Sequence, residues 1–205
     1  MNPSKLQLKL FARTDMGGDL PLEAFIPVLH RWIKEHLLPE LSIDVANYAH
    51  VPDGPGVVLI GDANDYFVDQ SLAAKSKGAS GPQLGLLVSR KRHAPAPDQR
   101  LNDLFRRTVH AAMLLERDPA LAGKLSFRTD EWVVRVNDRL AAPNNPETVA
   151  ALHPEIEAFV SQLFTGATVT VTPDGEPRQL VTIRITATPA PALPALLERL
   201  GGPPG

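Results

Sequence analysis

The sequence predicts an α+β fold: a mixed, mainly antiparallel sheet of about eight strands, with three helices packed mostly on one face. Three observations carry that expectation. Residues 41–61, LSIDVANYAHVPDGPGVVLIG, read as an alternating strand, a Pro52-Asp53-Gly54 turn and a second, wholly apolar strand. Near the C-terminus, Val169 and Val171 alternate with threonines, PDGEP turns the chain, and Val181, Ile183 and Ile185 alternate with Thr182, Arg184 and Thr186. Between these hairpins, apolar residues recur at helical spacing.

Taken in order, Leu6, Leu8 and Leu10 alternate with Lys5, Gln7 and Lys9, which predicts a half-buried first strand. The polar, glycine-containing stretch TDMGGD follows as a loop. Phe25, Ile26, Leu29, Trp32, Ile33 and Leu37 form a helical stripe, and Pro27 places the helix start near itself because proline suits the first helical turn. His30 and His36, six residues apart, form no two-histidine metal clip and read as histidines at the edge of the core.

In the 41–61 hairpin, Leu41, Ile43 and Val45 should line a dry face, with Ser42, Asp44, Tyr48 and His50 largely on a wet one. Val57 to Ile60 has no polar face, which predicts a central strand covered on both sides. Gly54-Pro55-Gly56 leads into a strand instead of a helix, so it reads as a turn and not a phosphate loop. Asp62, Asn64, Asp65 and Asp69 lack the EF-hand spacing and read as a solvated loop. SLAAKSKGASGP continues as an exposed loop, Leu84 to Val88 restores a strand, and Arg90, Lys91, Arg92 and His93 form a basic cluster.

A second helix from about Asp98 to Glu116 puts Leu101, Leu104, Phe105, Ala112 and Leu115 on the core face and turns Arg106, Arg107 and His110 away. Leu125 to Phe127 and Trp132 to Val136 read as a short hairpin across Arg128-Thr129-Asp130-Glu131. Asn145 is a helix N-cap with Pro146 in the first turn, and His153-Pro154 should break or restart that helix before Ile156, Phe159, Val160 and Leu163. Strand, helix, strand, Pro-Asp-Gly turn, strand therefore occurs twice, from about Leu6 to Gly61 and from about Trp132 to Ala187, which allows two pseudo-repeated βαββ halves. Residues 1–188 are expected to form one domain. Residues 189–205 change composition and should leave it as a Pro/Gly-rich tail, whose Leu193, Leu196, Leu197 and Leu200 form a short amphipathic helix suited to binding a partner.

Composition bounds function mainly by exclusion. The 205 residues carry 21 basic against 23 acidic side chains, so no overall field draws the chain to nucleic acid. No window reaches the ~18 apolar residues of a membrane span, and MNPSKLQLKLFARTD lacks the apolar core of a secretion signal, so the expected location is the cytoplasm. Without cysteine there are no disulfides, thiolate metal sites or cysteine nucleophiles. No nucleotide-binding, zinc-protease or nucleophile-elbow motif occurs, and neither cofactor nor metal is implied.

Two groups of polar residues remain as ligand or anion contacts. Arg90 and Arg92 could meet Arg106 and Arg107 in a local basic patch. Asp44, Tyr48 and His50 project to one side of their strand, where the carboxylate and the imidazole could share a proton-transfer task with partners such as Arg135, Asn137 or Arg184 from neighbouring strands, and Tyr48 and His50 could face a small-molecule cleft shared with Asn137, Asp138 and Arg139. HVPDGPGVVLIGDANDYFVD, QLGLLVSRKR and VNDRLAAPNNPET resemble an uncharacterised family of bacterial proteins, over most of the chain outside the tail. That resemblance implies no activity, cofactor, partner or site. The leading expectation is a non-catalytic module that binds a protein partner or itself; the alternative is a small-molecule enzyme or ligand binder using the cleft near His50 and Asn137 to Arg139.

Overall fold

The computed structural model describes residues 5–13, 20–52, 54–72, 83–92, 94–176 and 178–204. The TDMGGD loop, Asp53 of the first turn, most of the SLAAKSKGASGP loop and His93 lie outside the described residues. The chain is α+β. Its strands are β1 (Leu6–Ala12), β2 (Ser42–Tyr48), β3 (Gly56–Gly61), β4 (Asn64–Asp69), β5 (Gly85–Arg90), β6 (Phe127–Val136), β7 (Thr168–Asp174) and β8 (Thr182–Thr188). They form one eight-stranded sheet in the order β2-β3-β4-β5-β1-β6-β8-β7. Every pairing among them is antiparallel, so the sheet is more uniform than the mixed one expected.

The helices are α1 (Ile26–Glu35), α2 (Arg100–Arg117), α3 (Pro146–Leu163) and α4 (Leu193–Arg199). They share a single apolar core with one face of the sheet: Leu8 and Leu10 of β1, Val88 of β5, Trp132 of β6 and Ile185 of β8 meet Trp32, Leu104, Phe105, Ile156 and Leu196. Trp132 anchors it, edge-on to Phe105 at 4.6 Å between ring centroids and stacked on Phe164 at 6.2 Å. The five residues expected on the core face of α2 are all buried there. A 3-10 turn at Leu22–Phe25 leads into α1, which has Pro27 in its first turn as expected, and His36 closes it in the left-handed region at φ 52°. His30 and His36 are exposed, not at the edge of the core.

The strand centre lies elsewhere than the 41–61 hairpin. β3 is next to the edge and β2 is the edge itself, whereas β1 sits between β5 and β6 and is buried over its whole length. Its expected wet side is therefore dry: Lys9 and Phe11 are both 0% exposed. The Lys9 ammonium donates to Asp69 Oδ1 at 2.6 Å and to the Gln83 carbonyl at 3.1 Å. Asp69 itself belongs to β4, where the sequence reads as a solvated loop; Asn64 and Asp69 are buried. Likewise β6 runs unbroken through Arg128-Thr129-Asp130-Glu131, where a turn was expected, because Glu131 is held by Arg184 of the neighbouring strand. α3 begins as predicted, with Asn145 Oδ1 accepting the Thr148 N–H at 2.8 Å, but it passes through Pro154 without a break.

The element order of the two βαββ stretches recurs without making symmetric halves. On one side α3 links β6 to β7 across β8 alone; on the other, α1 links β1 to β2 across β3, β4 and β5. The tail also departs from expectation. Leu193, Leu196, Leu197 and Leu200 are 3%, 0%, 6% and 4% exposed in the main core, and Arg199 donates to the Leu163 carbonyl at 2.7 Å. Residues 189–204 are a layer of this fold, and those leucines are not free for a partner. Shortening the chain to end at Thr188 is expected to lower urea stability by several kcal/mol, at about 2–5 kcal/mol per leucine-to-alanine equivalent; Leu196→Ala alone should cost about that much, read from the denaturation midpoint.

Candidate functional site

Arg90, Arg106 and Arg107 come together as the sequence allows, but around an acid. Arg90 of β5 bonds Asp103 in the first turn of α2, Arg107 Nε donates to the same carboxylate at 3.0 Å, and Arg106 lies 3.8 Å from it. Burial pushes the Asp103 carboxyl up, yet the hydrogen bonds from Arg90 and Arg107 outweigh it and hold the group below the usual range. Arg107 also stands 3.7 Å from Glu40. Glu40 Oε2 accepts the Ala63 and Asn64 N–H groups at 2.9 and 2.8 Å, closing the β3–β4 turn, and Oε1 accepts the Tyr66 hydroxyl at 2.6 Å. Burial, followed by the Glu40 charge, raises the Tyr66 phenol well above its usual value. Arg90 and Arg107 therefore tie α2 to the sheet, Arg90 through Asp103 and Arg107 through Tyr66, while Arg106 meets Asp103 of its own helix. Arg92 stays exposed, 3.7 Å from Asp62.

His110 is half-buried beside the same cluster. Desolvation, then the Arg117 and Arg107 charges, lower its pKa, and its Nδ1 has no hydrogen-bond partner among the described residues. Neutral imidazole is the form this site accommodates.

The second predicted group does not converge. Tyr48 and His50 lie at the C-terminal end of edge strand β2, whereas Asn137, Asp138 and Arg139 follow β6. Four strands separate the two, and the antiparallel alternation puts their C-terminal ends at opposite ends of the sheet. Asn137 N–H instead bonds the Lys5 carbonyl at 2.8 Å, and Asp138 Oδ1 accepts the Ala141 N–H at 3.0 Å, as turn residues do. The structure gives these residues no common cleft.

Besides a groove of about 590 Å³ between α2 and α3 past Asp103, Arg106 and Glu155, the fold leaves open the two strands that end the sheet. On β2 the expected dry side holds only at Val45, which packs half-buried against the core; Leu41 and Ile43 are 67% and 56% exposed, and with Tyr48 and Val51 they make four of the five large exposed apolar residues among those described. A bulge between Ser42 and Asp44 changes the parity that the alternation implied. Asp44 Oδ1 accepts the N–H of Val45 at 2.8 Å and Asn47 Oδ1 that of Ala49 at 2.9 Å, so side chains occupy backbone donors along this strand. Asp44 and Asn47 were the available sign of an edge strand, because such side chains compete for backbone groups.

At the other edge β7 keeps a regular register with β8 and exposes Thr168, Thr170 and Thr172. Val169 and Val171 are half-buried on the α3 side. Two grooves of about 450 and 430 Å³ run along this seam, the first past Ala158, Val169 and Val171, the second past Ala150, His153 and Pro173.

Comparison with protein-family models, with curated proteins and with solved structures finds no match. Among the described residues no helix is long and apolar enough to cross a membrane.

The depressed His110 pKa makes a directional prediction. Unfolded histidine titrates near 6.5, and a base whose folded pKa lies lower binds its proton preferentially in the unfolded chain. Its stabilising contribution is complete above that unfolded value and is lost as pH falls through the folded one. Urea stability is expected to decline on acidification from about pH 7 toward 5, and His110→Gln should flatten that slope.

Proposed function

We propose that this chain is a non-catalytic cytoplasmic protein-binding module that associates with a second copy of itself through the β2 edge. The observation that carries this reading is the apolar run of Leu41, Ile43, Tyr48 and Val51 on one exposed strand and the turn after it. Four of the five large exposed apolar residues among those described fall within this one short stretch, and exposed apolar side chains gathered in one place mark an interaction surface. Between Leu41 and Val51 the only carboxylate is Asp44, and there is no lysine or arginine, so two such edges meet with little charge repulsion. A two-fold axis presents one patch to itself, which a single apolar cluster can satisfy.

Fully burying a leucine- or isoleucine-sized side chain is worth roughly 1.5–3 kcal/mol. These four side chains are 40–67% exposed, so completing their burial gains about half of that each, which over two copies is of the same size as an association cost of about 4–15 kcal/mol. The bulge and the Asp44 bond to the Val45 N–H argue for contact through side chains over simple continuation of the ladder. The non-catalytic part of the reading is supported by where charge is spent: Lys9 on Asp69, Arg184 on Glu131 and Asp174, and Arg90 and Arg107 on Asp103.

Size-exclusion chromatography with light scattering tests it on the full chain. The expected mass is that of a dimer, shifting to the monomer in the Leu41→Glu/Ile43→Glu double variant, whose exposed positions leave the core intact. A monomeric wild type at about 1 mM, where even millimolar affinity would populate the dimer, would overturn the proposal.

A further inference from the structure

We infer that the seam between β7 and α3 is a separate docking site, one that takes an extended peptide of a partner protein bearing alternating basic and apolar side chains. This inference does not rest on the β2 edge. Among the described residues β7 pairs only with β8, and its seven residues hold an unbroken register from Thr168 opposite Thr188 to Asp174 opposite Thr182. Pro173 has no N–H to give to a ladder, so it occupies a position whose backbone faces away from β8. Antiparallel parity then turns the main-chain groups of Val169 and Val171 outward as well.

The outward Val171 carbonyl is met by His153 Nε2 at 3.4 Å, a long contact that a peptide N–H at ordinary hydrogen-bond length would replace. On either side of this contact the two grooves continue along α3. A strand added to β7 would drop alternate side chains into them and leave its backbone on the β7 ladder, the pairing by which extended peptides join a sheet edge against a helix.

Charge fixes the kind of peptide. α3 carries Glu147, Glu155 and Glu157 and no lysine or arginine. Glu155 bonds Arg100; Glu147 and Glu157 are exposed, Glu157 lying 3.4 Å from His153 Nδ1, and Glu176 is exposed in the turn beyond β7, where Arg178 is exposed as well. Asn144 Nδ2 donates to the Glu176 carbonyl at 2.9 Å and fixes that end of the seam. The groove past Ala150 and Pro173 is mostly apolar and the one past Ala158 and Ser161 mostly polar, so with the acidic rim the seam favours a valine-like side chain in the former and lysine-like ones outward.

The test is an amide-shift titration of the full chain with a capped hexapeptide alternating lysine and valine, against its glutamate-valine counterpart. The lysine peptide is expected to shift the Val169 and Val171 amides and to slow their exchange. Ala150→Arg and Ala158→Arg, both at exposed α3 positions, should each weaken binding about tenfold or more while the melting temperature holds. No shift at these amides with millimolar-range peptide, equal binding of the acidic peptide, or unchanged affinity in both variants would overturn the inference. So would shifts of the Val169 and Val171 amides that depend on protein concentration without peptide, which would assign the β7 edge to a second copy; concentration-dependent shifts confined to β2 report the other edge.

Discussion

The buried Lys9–Asp69 pair is the constraint on which the rest of the sheet depends. A fully desolvated ammonium costs several kcal/mol unless its donors are met. Here burial lowers the Lys9 pKa, and Asp69 opposes that shift by its charge and its hydrogen bond. Lys9 lies on β1 and Asp69 on β4, so the side chain must cross β5 between them. Gly85 makes the crossing possible: a Cβ there would stand 2.5 Å from Lys9 Cε and 2.5 Å from the Leu10 carbonyl oxygen. One missing methyl group thus lets three strands share a single ion pair, and Phe11, with its ring centroid 5.6 Å from the Lys9 ammonium, covers it from the side. The same ring has the Arg184 guanidinium at 5.6 Å, which extends the polar layer to Glu131 and Asp174 on β6 and β7.

That layer explains which parts of the fold the sequence discloses. The β7–β8 hairpin and the core face of α2 are legible because each is written in local alternation or helical spacing. β4 and the middle of β6 are not, because Asn-Asp-Tyr-Phe-Val-Asp and Arg-Thr-Asp-Glu look like solvated turns until their partners are known. Those partners sit 60 residues away for Asp69 and 53 for Glu131. No window a dozen residues wide can display such a match. α3 survives Pro154 for a related reason: Leu152, Ile156 and Val160 stay buried on both sides of it, and tertiary packing overrides a local breaker.

The candidate sites divide along the same line. The sequence correctly groups Arg90, Arg106 and Arg107 but misses that Asp103, in the same helix, would draw them inward. It marks the tail leucines as amphipathic without revealing that α2 and the end of α3 provide the surface they need, closed by the Arg199 bond to Leu163. The exposure of Leu41 and Ile43 is hidden by a one-residue bulge, since period-two logic reverses faces whenever a residue is inserted.

An open antiparallel sheet must end somewhere, and this one ends in two different ways. β2 is sealed along its backbone by a bulge and by the Asp44 and Asn47 side chains, but it leaves its apolar side chains uncovered. β7 does the reverse: its valines turn toward α3 and its threonines toward water, while the outward backbone is met by one long histidine contact. Unpaired backbone recruits a strand and uncovered side chains recruit a surface. On the readings proposed above, the two edges select different partners by different physics, one its own kind and the other an extended segment, and their positions at opposite ends of the sheet keep either contact from displacing the other.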